Sequence, residues 1–313
     1  MSEKRYGPTT ITPNFYQLGM HSYPAYLSMG DDGMLIEGGT GATFDIIVEQ
    51  IKELGINPER IKYLALTHTH PDHIGAIPKL RKLWPHLKVV ASAVAEKMLQ
   101  REEAVGEFLQ IDSSITEILI IKGDILEWPA EFENPAFEVD FEVDMVVGEG
   151  DKLDLGSGIV WNVYETPGHA PCHISLYEEK EGTLAIGDVT GFFIPEKDAF
   201  WPNYFQSLET YCNSIRKLSA IAAKRGALGH NGMVDGQMDK YFAKAMKATE
   251  AFHMDILERL GKGEDPDKIA MDKTKWVYLL TNLQPFASMH NLTKLLIRRS
   301  QQAADKENLF VIP

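Results

Sequence analysis

A chain of 313 residues with 44% hydrophobic and 24% charged positions is long enough for one large globular domain plus an appendage, or for two domains. Its formal charge of −14 argues against a nucleic-acid partner, since a phosphate backbone demands a basic stripe, but it leaves room for an anionic small molecule met by a local positive patch. Two cysteines, Cys172 and Cys212, make no disulfide framework and read as inert buried thiols. No stretch approaches membrane-spanning length, and Met1-Ser2-Glu3-Lys4-Arg5 has no apolar segment behind it. These features lead us to expect a cytoplasmic chain with no membrane partner.

Residues 14–39 read as short strands broken by the hairpin turn Gly30-Asp31-Asp32-Gly33, with Met34-Leu35-Ile36-Glu37-Gly38-Gly39 ending one strand in a glycine pair. Phe44, Ile47, Val48 and Ile51 give residues 43–54 a helical period. The apolar run Tyr63-Leu64-Ala65-Leu66 then leads into His68-Thr69-His70-Pro71-Asp72-His73. Four strong metal-ligand types thus fall within six residues, directly after a buried strand that would hold them rigidly. His68 and His70 can reach one ion, and the adjacent Asp72-His73 pair a second. A helix is expected near 76–83 and a strand at Val89-Val90-Ala91.

Helical pattern over 93–109 and 114–121 reads as an insertion able to wall one side of a site. The acidic stretch 131–149 alternates apolar residues at Phe137, Val139, Phe141 and Val143, as a half-exposed strand would. Three more strands then end in ligand types: 159–164 before Thr166-Pro167-Gly168-His169, Thr183–Gly187 before Asp188, and Ala227-Leu228-Gly229 before His230. A carboxylate at Asp188 could bridge two cations, one on each oxygen. Phe192-Phe193-Ile194-Pro195 and the aromatic run 200–205 follow Asp188; they suit an apolar pocket wall or a clamp between core and tail. From Gln237 onward the period is helical, with one long helix over 238–260, breaks at Gly261-Lys262-Gly263 and Pro266, and shorter helices at 276–283 and 288–303. His290 is expected at the surface, and Lys294, Arg298 and Arg299 lie on the last helix.

The order His68, His70, Asp72, His73, His169, Asp188, His230 resembles the metallo-β-lactamase superfamily over about the first 235 residues. The resemblance implies an α/β four-layer αββα sandwich over residues 1–236, carrying a helical insertion at about 93–121, with a helical C-terminal extension over 237–313. Carried over position by position, His68, His70 and His169 would hold one divalent ion and Asp72, His73 and His230 a second, with Asp188 between them. Zn²⁺ is the default, and iron or manganese suits the same donors. His70 stands where flavodiiron proteins are expected to have Glu. Such an ion pair yields a bridging hydroxide near neutral pH, with Asp72 as the catalytic residue that guides the water or relays a proton.

The helical tail, the insertion before His169 and the Glu37-Gly38-Gly39 turn resemble glyoxalase II-like and aminobenzoylacetyl-CoA thioesterase-like members. They imply a hydrolase acting on a thioester, an acyl-CoA or similar small-molecule substrate. The basic residues that hold glutathione in glyoxalase II cannot be placed by any motif. A lactonase, a mononuclear iron persulfide dioxygenase and a ligand-sensing or interaction module with residual hydrolase activity stay open as alternatives. A homodimer stays open too.

Overall fold

A computed structural model describes residues 6–126, 141–303 and 309–312. Two sheets face each other. The first has seven strands in chain order: β1 (Thr9–Thr12), β2 (Phe15–Gly19), β3 (Pro24–Met29), β4 (Gly33–Ile36), β5 (Ile61–Ala65), β6 (Lys88–Ser92) and β7 (Met145–Val147). β1 to β4 form an antiparallel meander, and β4 to β7 run parallel. The second sheet is ordered β15 (Met233–Asp235), β14 (Arg225–Leu228), β11 (Thr183–Gly187), β10 (Ile174–Glu178), β9 (Val160–Glu165) and β8 (Lys152–Asp154). The hairpin of β12 (Phe192–Ile194) and β13 (Ala199–Trp201) stands apart from both.

The period of two along each strand sorts side chains into layers. Met34, Ile36, Ala65, Val90, Ala185 and Ala227 meet between the sheets, around Tyr26 and Trp161. Their neighbours Leu35, Leu64 and Val89 point the other way, onto Ile47 and Ile51 of α1 (Phe44–Glu53) and Ile77 and Leu80 of α3 (Ile77–Leu83). On the far side, Leu184 and Ile186 pack with Tyr211 and Ile215 of α6 (Leu208–Ser219). The result is the expected αββα sandwich.

The C-terminal helices α7 (Met238–Gly261), α8 (Pro266–Leu280) and α9 (Phe286–Gln302) join that outer layer through Tyr241, Phe242, Ile269, Met289 and Leu296, all buried in one apolar cluster with α6. Among the described residues no helix is long and apolar enough to cross a membrane.

Three elements depart from the sequence expectation. The insertion is α4 (Ala93–Leu99) and α5 (Glu102–Ile121), so the break falls at Gln100-Arg101 and not near 110–113. Asp112 sits within α5 and accepts from the Gly41 N–H at 3.0 Å. α8 starts ten residues before 276, with Asp265 capping and Pro266 in the first turn, where proline needs no donor. Phe141 and Val143 pack on the core without forming a strand; Phe137 and Val139 lie outside the described residues.

Candidate metal centre

The ligand-type residues converge because five segments end at one edge of the sandwich. β5 delivers Leu66 to Thr69: Leu66 N–H still bonds the Val90 carbonyl and the Thr67 carbonyl accepts from Ile174 N–H, so the strand's rigidity extends to His68. Pro71 opens the one-turn helix α2 (Pro71–Ile74), whose first turn carries Asp72 and His73. Gly38 N–H donates to the His73 carbonyl at 2.7 Å, pinning that turn to the end of β4. β9, β11 and β14 supply His169, Asp188 and His230.

Two donor sets result. His68 Nε2 and His169 Nε2 approach His70 Nδ1 at 3.0 and 2.9 Å. His230 Nε2 lies 3.3 Å from Asp72 Oδ2, and His73 Nε2 lies 3.9 Å from Asp72 Oδ1. Asp188 Oδ2 sits between the sets, 3.5 Å from His169 Nε2, 3.5 Å from His230 Nε2 and 3.7 Å from His73 Nε2. Ligand atoms of His68, His70 and His169, and those of Asp72, His73 and His230, lie within 4.8 Å of one another. There is no slack around them: a Cβ on Gly229 would come within 2.0 Å of Asp188 Oδ1.

The donor chemistry fits cations. His169 Nδ1 donates to the Asn203 carbonyl and His230 Nδ1 to the Ser22 carbonyl, both at 2.9 Å, which leaves each Nε2 as a free lone pair. His73 Nδ1 faces Glu37 Oε2 at 3.3 Å, freeing its Nε2 likewise. Among the described residues His73 Nε2, His230 Nε2 and Asp188 Oδ1 are buried with no hydrogen-bond partner, an arrangement that costs free energy unless a ligand completes it.

The electrostatics agree. Burial, helped by neighbouring imidazoles, pushes His68 and His169 well below the usual histidine range. Burial works to raise Asp72 and Asp188, but His73 and His230 outweigh it and hold both below the usual carboxylate range. Burial likewise opposes charge on His73 and His230. Glu37, Asp188 and Asp72 override it at His73, and Asp188 and Asp72 raise His230 to about 9. Three buried carboxylates therefore call for positive charge beside His73 and His230, and protons supply it when nothing else does.

Several residues of the centre were not assigned from sequence. Glu37, at φ 71°, accepts from Thr67 Oγ1 at 2.6 Å and orients His73. The buried strand Met34-Leu35-Ile36 ends on it, the same signal that marked Asp188. His173 Nε2 accepts from Asp188 N–H at 3.0 Å and its ring stacks on His68, so it holds ligands and is not one. Cys172 is buried, with its thiol against Thr69 Oγ1 at 3.5 Å; burial raises its pKa, as an inert thiol requires.

A cavity of about 260 Å³ opens over the centre, reaching Asp72, His70, His169 and Asp188. Phe192, Trp201 and Phe205 make it aromatic, Ile111 of the insertion reaches it, and the tail contributes Gln284, Ser288, Asn291 and Leu292. His290 stays outside, its Nδ1 3.1 Å from Thr274 Oγ1. Lys294 pairs with Asp267 at 2.8 Å, and Arg299 Nε donates to the Phe205 carbonyl at 2.8 Å, bracing an aromatic wall.

Comparison with known proteins matches this architecture. The flavo-diiron protein FprA2 of Clostridium acetobutylicum is 41% identical over 71 residues, covering 23% of this chain and 18% of that protein. A metallo-beta-lactamase fold-containing protein of Sulfurisphaera tokodaii is 24% identical over 198 residues, 63% of this chain and 71% of the relative. The chain spans no more than 54% of the length of the flavoprotein and oxidase relatives it matches. Among solved structures, a metallo-beta-lactamase family protein of Thermus thermophilus superposes with a TM-score of 0.65 at 20% identity, covering 95% of each chain. The model of the metallo-beta-lactamase superfamily matches residues 25–230, and the chain belongs to that superfamily.

Proposed function

We propose that this protein is a metal-dependent hydrolase of a small thioester, holding two divalent ions, Zn²⁺ by default. His68, His70 and His169 would hold one ion, Asp72, His73 and His230 the other, and Asp188 both. The observation that carries this reading is the convergence of seven ligand-type side chains, in which His73 Nε2, His230 Nε2 and Asp188 Oδ1 are buried with no hydrogen-bond partner among the described residues. Such ions ionise water near neutral pH and polarise a carbonyl.

The chain's own residues supply the rest. Asp72 lines the cavity, placed to guide an attacking water or relay a proton. Phe192, Trp201 and Phe205 exclude bulk water, which strengthens every charge interaction inside. Among the described residues lining the cavity there is no Lys, Arg or Tyr to protonate a departing amine. A thiolate leaves without such help, so the lining favours a thioester over an amide. His70 at the position where flavodiiron proteins carry Glu favours hydrolysis over oxygen chemistry.

The compact aromatic cavity favours a second reading, a lactonase, whose ring-opened alkoxide stays attached. Elemental analysis combined with steady-state kinetics on matched acyl-CoA, glutathione-thioester, lactone and β-lactam panels decides the matter. Two ions per chain and turnover of a thioester are the expected result. Lactone turnover orders of magnitude faster than every thioester replaces the first reading by the second, and oxygen-dependent persulfide oxidation alone removes hydrolysis.

A further inference from the structure

The end of α8 and the connector that follows it, residues 280–285, are fastened over the metal centre from three directions. Tyr23 Oη donates to the Leu283 carbonyl at 2.5 Å, and Lys197 Nζ donates to the Leu280 carbonyl at 3.2 Å. Gln284 Nε2 reaches Asp72 Oδ2 at 3.5 Å. Beyond this anchored point Ser288 and Asn291, three apart on α9, share one helix face, and together with Gln284 they line the cavity. Three of the four side chains that face the cavity from the tail are therefore polar and uncharged, Leu292 being the fourth, while Phe192, Trp201 and Phe205 line it beside the metal-ligand candidates.

We propose that Gln284 is a specificity-determining residue, and that the cavity takes an uncharged acyl group bearing its own hydrogen-bonding oxygen, held by the Gln284 carboxamide. The proposal rests on the reading of the site as an acyl hydrolase. A carboxamide offers two donors and an acceptor. Among the described residues its polar contact is the single long one to Asp72, so a donor and the acceptor are open to a ligand. A plain hydrocarbon acyl group would strip water from those groups and return nothing. For an anionic acyl terminus beyond the reach of the ions, the described lining supplies no Lys or Arg. A volume of about 260 Å³, that of about nine liquid waters, limits the group to a compact one.

The test uses metal-loaded full-length protein, wild type and the variants Gln284→Met and Gln284→Ala. Three N-acetylcysteamine thioesters of equal acyl length are compared: a hydrocarbon, one bearing a neutral hydroxyl or oxo oxygen, and one ending in a carboxylate. The same acyl groups are also titrated calorimetrically as unreactive primary amides, and metal content and thermal unfolding are recorded for each protein. Wild type is expected to favour the oxygen-bearing thioester over the hydrocarbon by about tenfold in kcat/KM, and both variants to bring that ratio near one through KM, with metal content unchanged. A ratio that the variants leave intact overturns the proposal, as does an equal loss on all three thioesters or a loss of metal. If wild type hydrolyses no thioester, the functional reading fails. Calorimetry still decides the role of Gln284, by whether the preference for the oxygen-bearing amide exists and disappears in the variants.

Discussion

Tyr23 and Leu283 are joined by a hydroxyl-to-carbonyl hydrogen bond across 260 positions of sequence, and the Tyr23 ring stands edge-on to His230 at 5.5 Å. Next to it, the Ser22 carbonyl accepts from His230 Nδ1. One turn thus aligns a metal ligand and fastens the tail. Tyr23→Phe keeps the ring and strands the Leu283 carbonyl, at a cost of about 1–3 kcal/mol. Denaturant unfolding should show that loss, and hydrogen exchange should rise around residues 281–285 while metal content holds.

Glu37→Gln replaces the carboxylate facing His73 with a neutral group of the same size. His73 then loses the negative charge that raises its basicity and keeps at most a weaker neutral acceptor. Affinity at the set formed by Asp72, His73 and His230 should fall by about 10–100-fold, leaving the other set filled. Titration against a competing chelator should therefore resolve one tight and one weakened ion.

Protons and cations compete for the same place. In metal-free protein the raised pKa of His230, about 9, contributes stability that is full below its ordinary 6.5 and is lost as pH rises through about 9. The lowered pKa of Asp188 contributes stability present above its ordinary 3.8 and lost as pH falls. Metal-free protein should therefore weaken toward alkaline pH as His230 gives up its proton, and toward acid as Asp188 is protonated and as His68 and His169, held below the usual histidine range, resist protonation. Metal binding must displace the protons, so the gain in thermal midpoint on loading should widen as pH rises from about 5 to about 9. A gain independent of pH would contradict the proton displacement.

Burial raises the Asp112 carboxyl to about 7, against the lowering effect of the Gly41 N–H. The stability it contributes is present below its ordinary 3.8 and is lost as pH rises through about 7. Asp112→Asn keeps an acceptor for Gly41 and removes the buried charge. Its thermal midpoint relative to wild type should shift upward between about pH 5 and pH 8, by about 2–4 °C for each kcal/mol recovered.

What sequence could reveal here depended on distance along the chain. The ligand loops were legible because each follows an apolar strand, so a local pattern marks a global convergence. Glu37 obeys the same pattern, but the glycine pair behind it reads as a turn. The run Asp112-Ser113-Ser114 interrupts the apolar period of α5 and looks like a helix end; burial against Gly41 carries the helix through it. Pro266 reads as a break, although a proline behind a capping carboxylate, here Asp265, is equally a start. Gln284 carries no local signal at all, since its partner Asp72 lies 212 positions away.

The sandwich holds every metal-ligand candidate, while α9 and its connector hold the polar face of the cavity, and the chain crosses from one to the other near Gln237, a left-handed residue at φ 47°. The metal-ligand candidates and the polar tail residues that line the cavity are consequently inherited on separate stretches of one polypeptide. A lineage could exchange everything after that junction and acquire a new cavity wall while its metal-ligand set passed on intact. Chimaeras spliced at Gly236-Gln237 offer the same freedom at the bench.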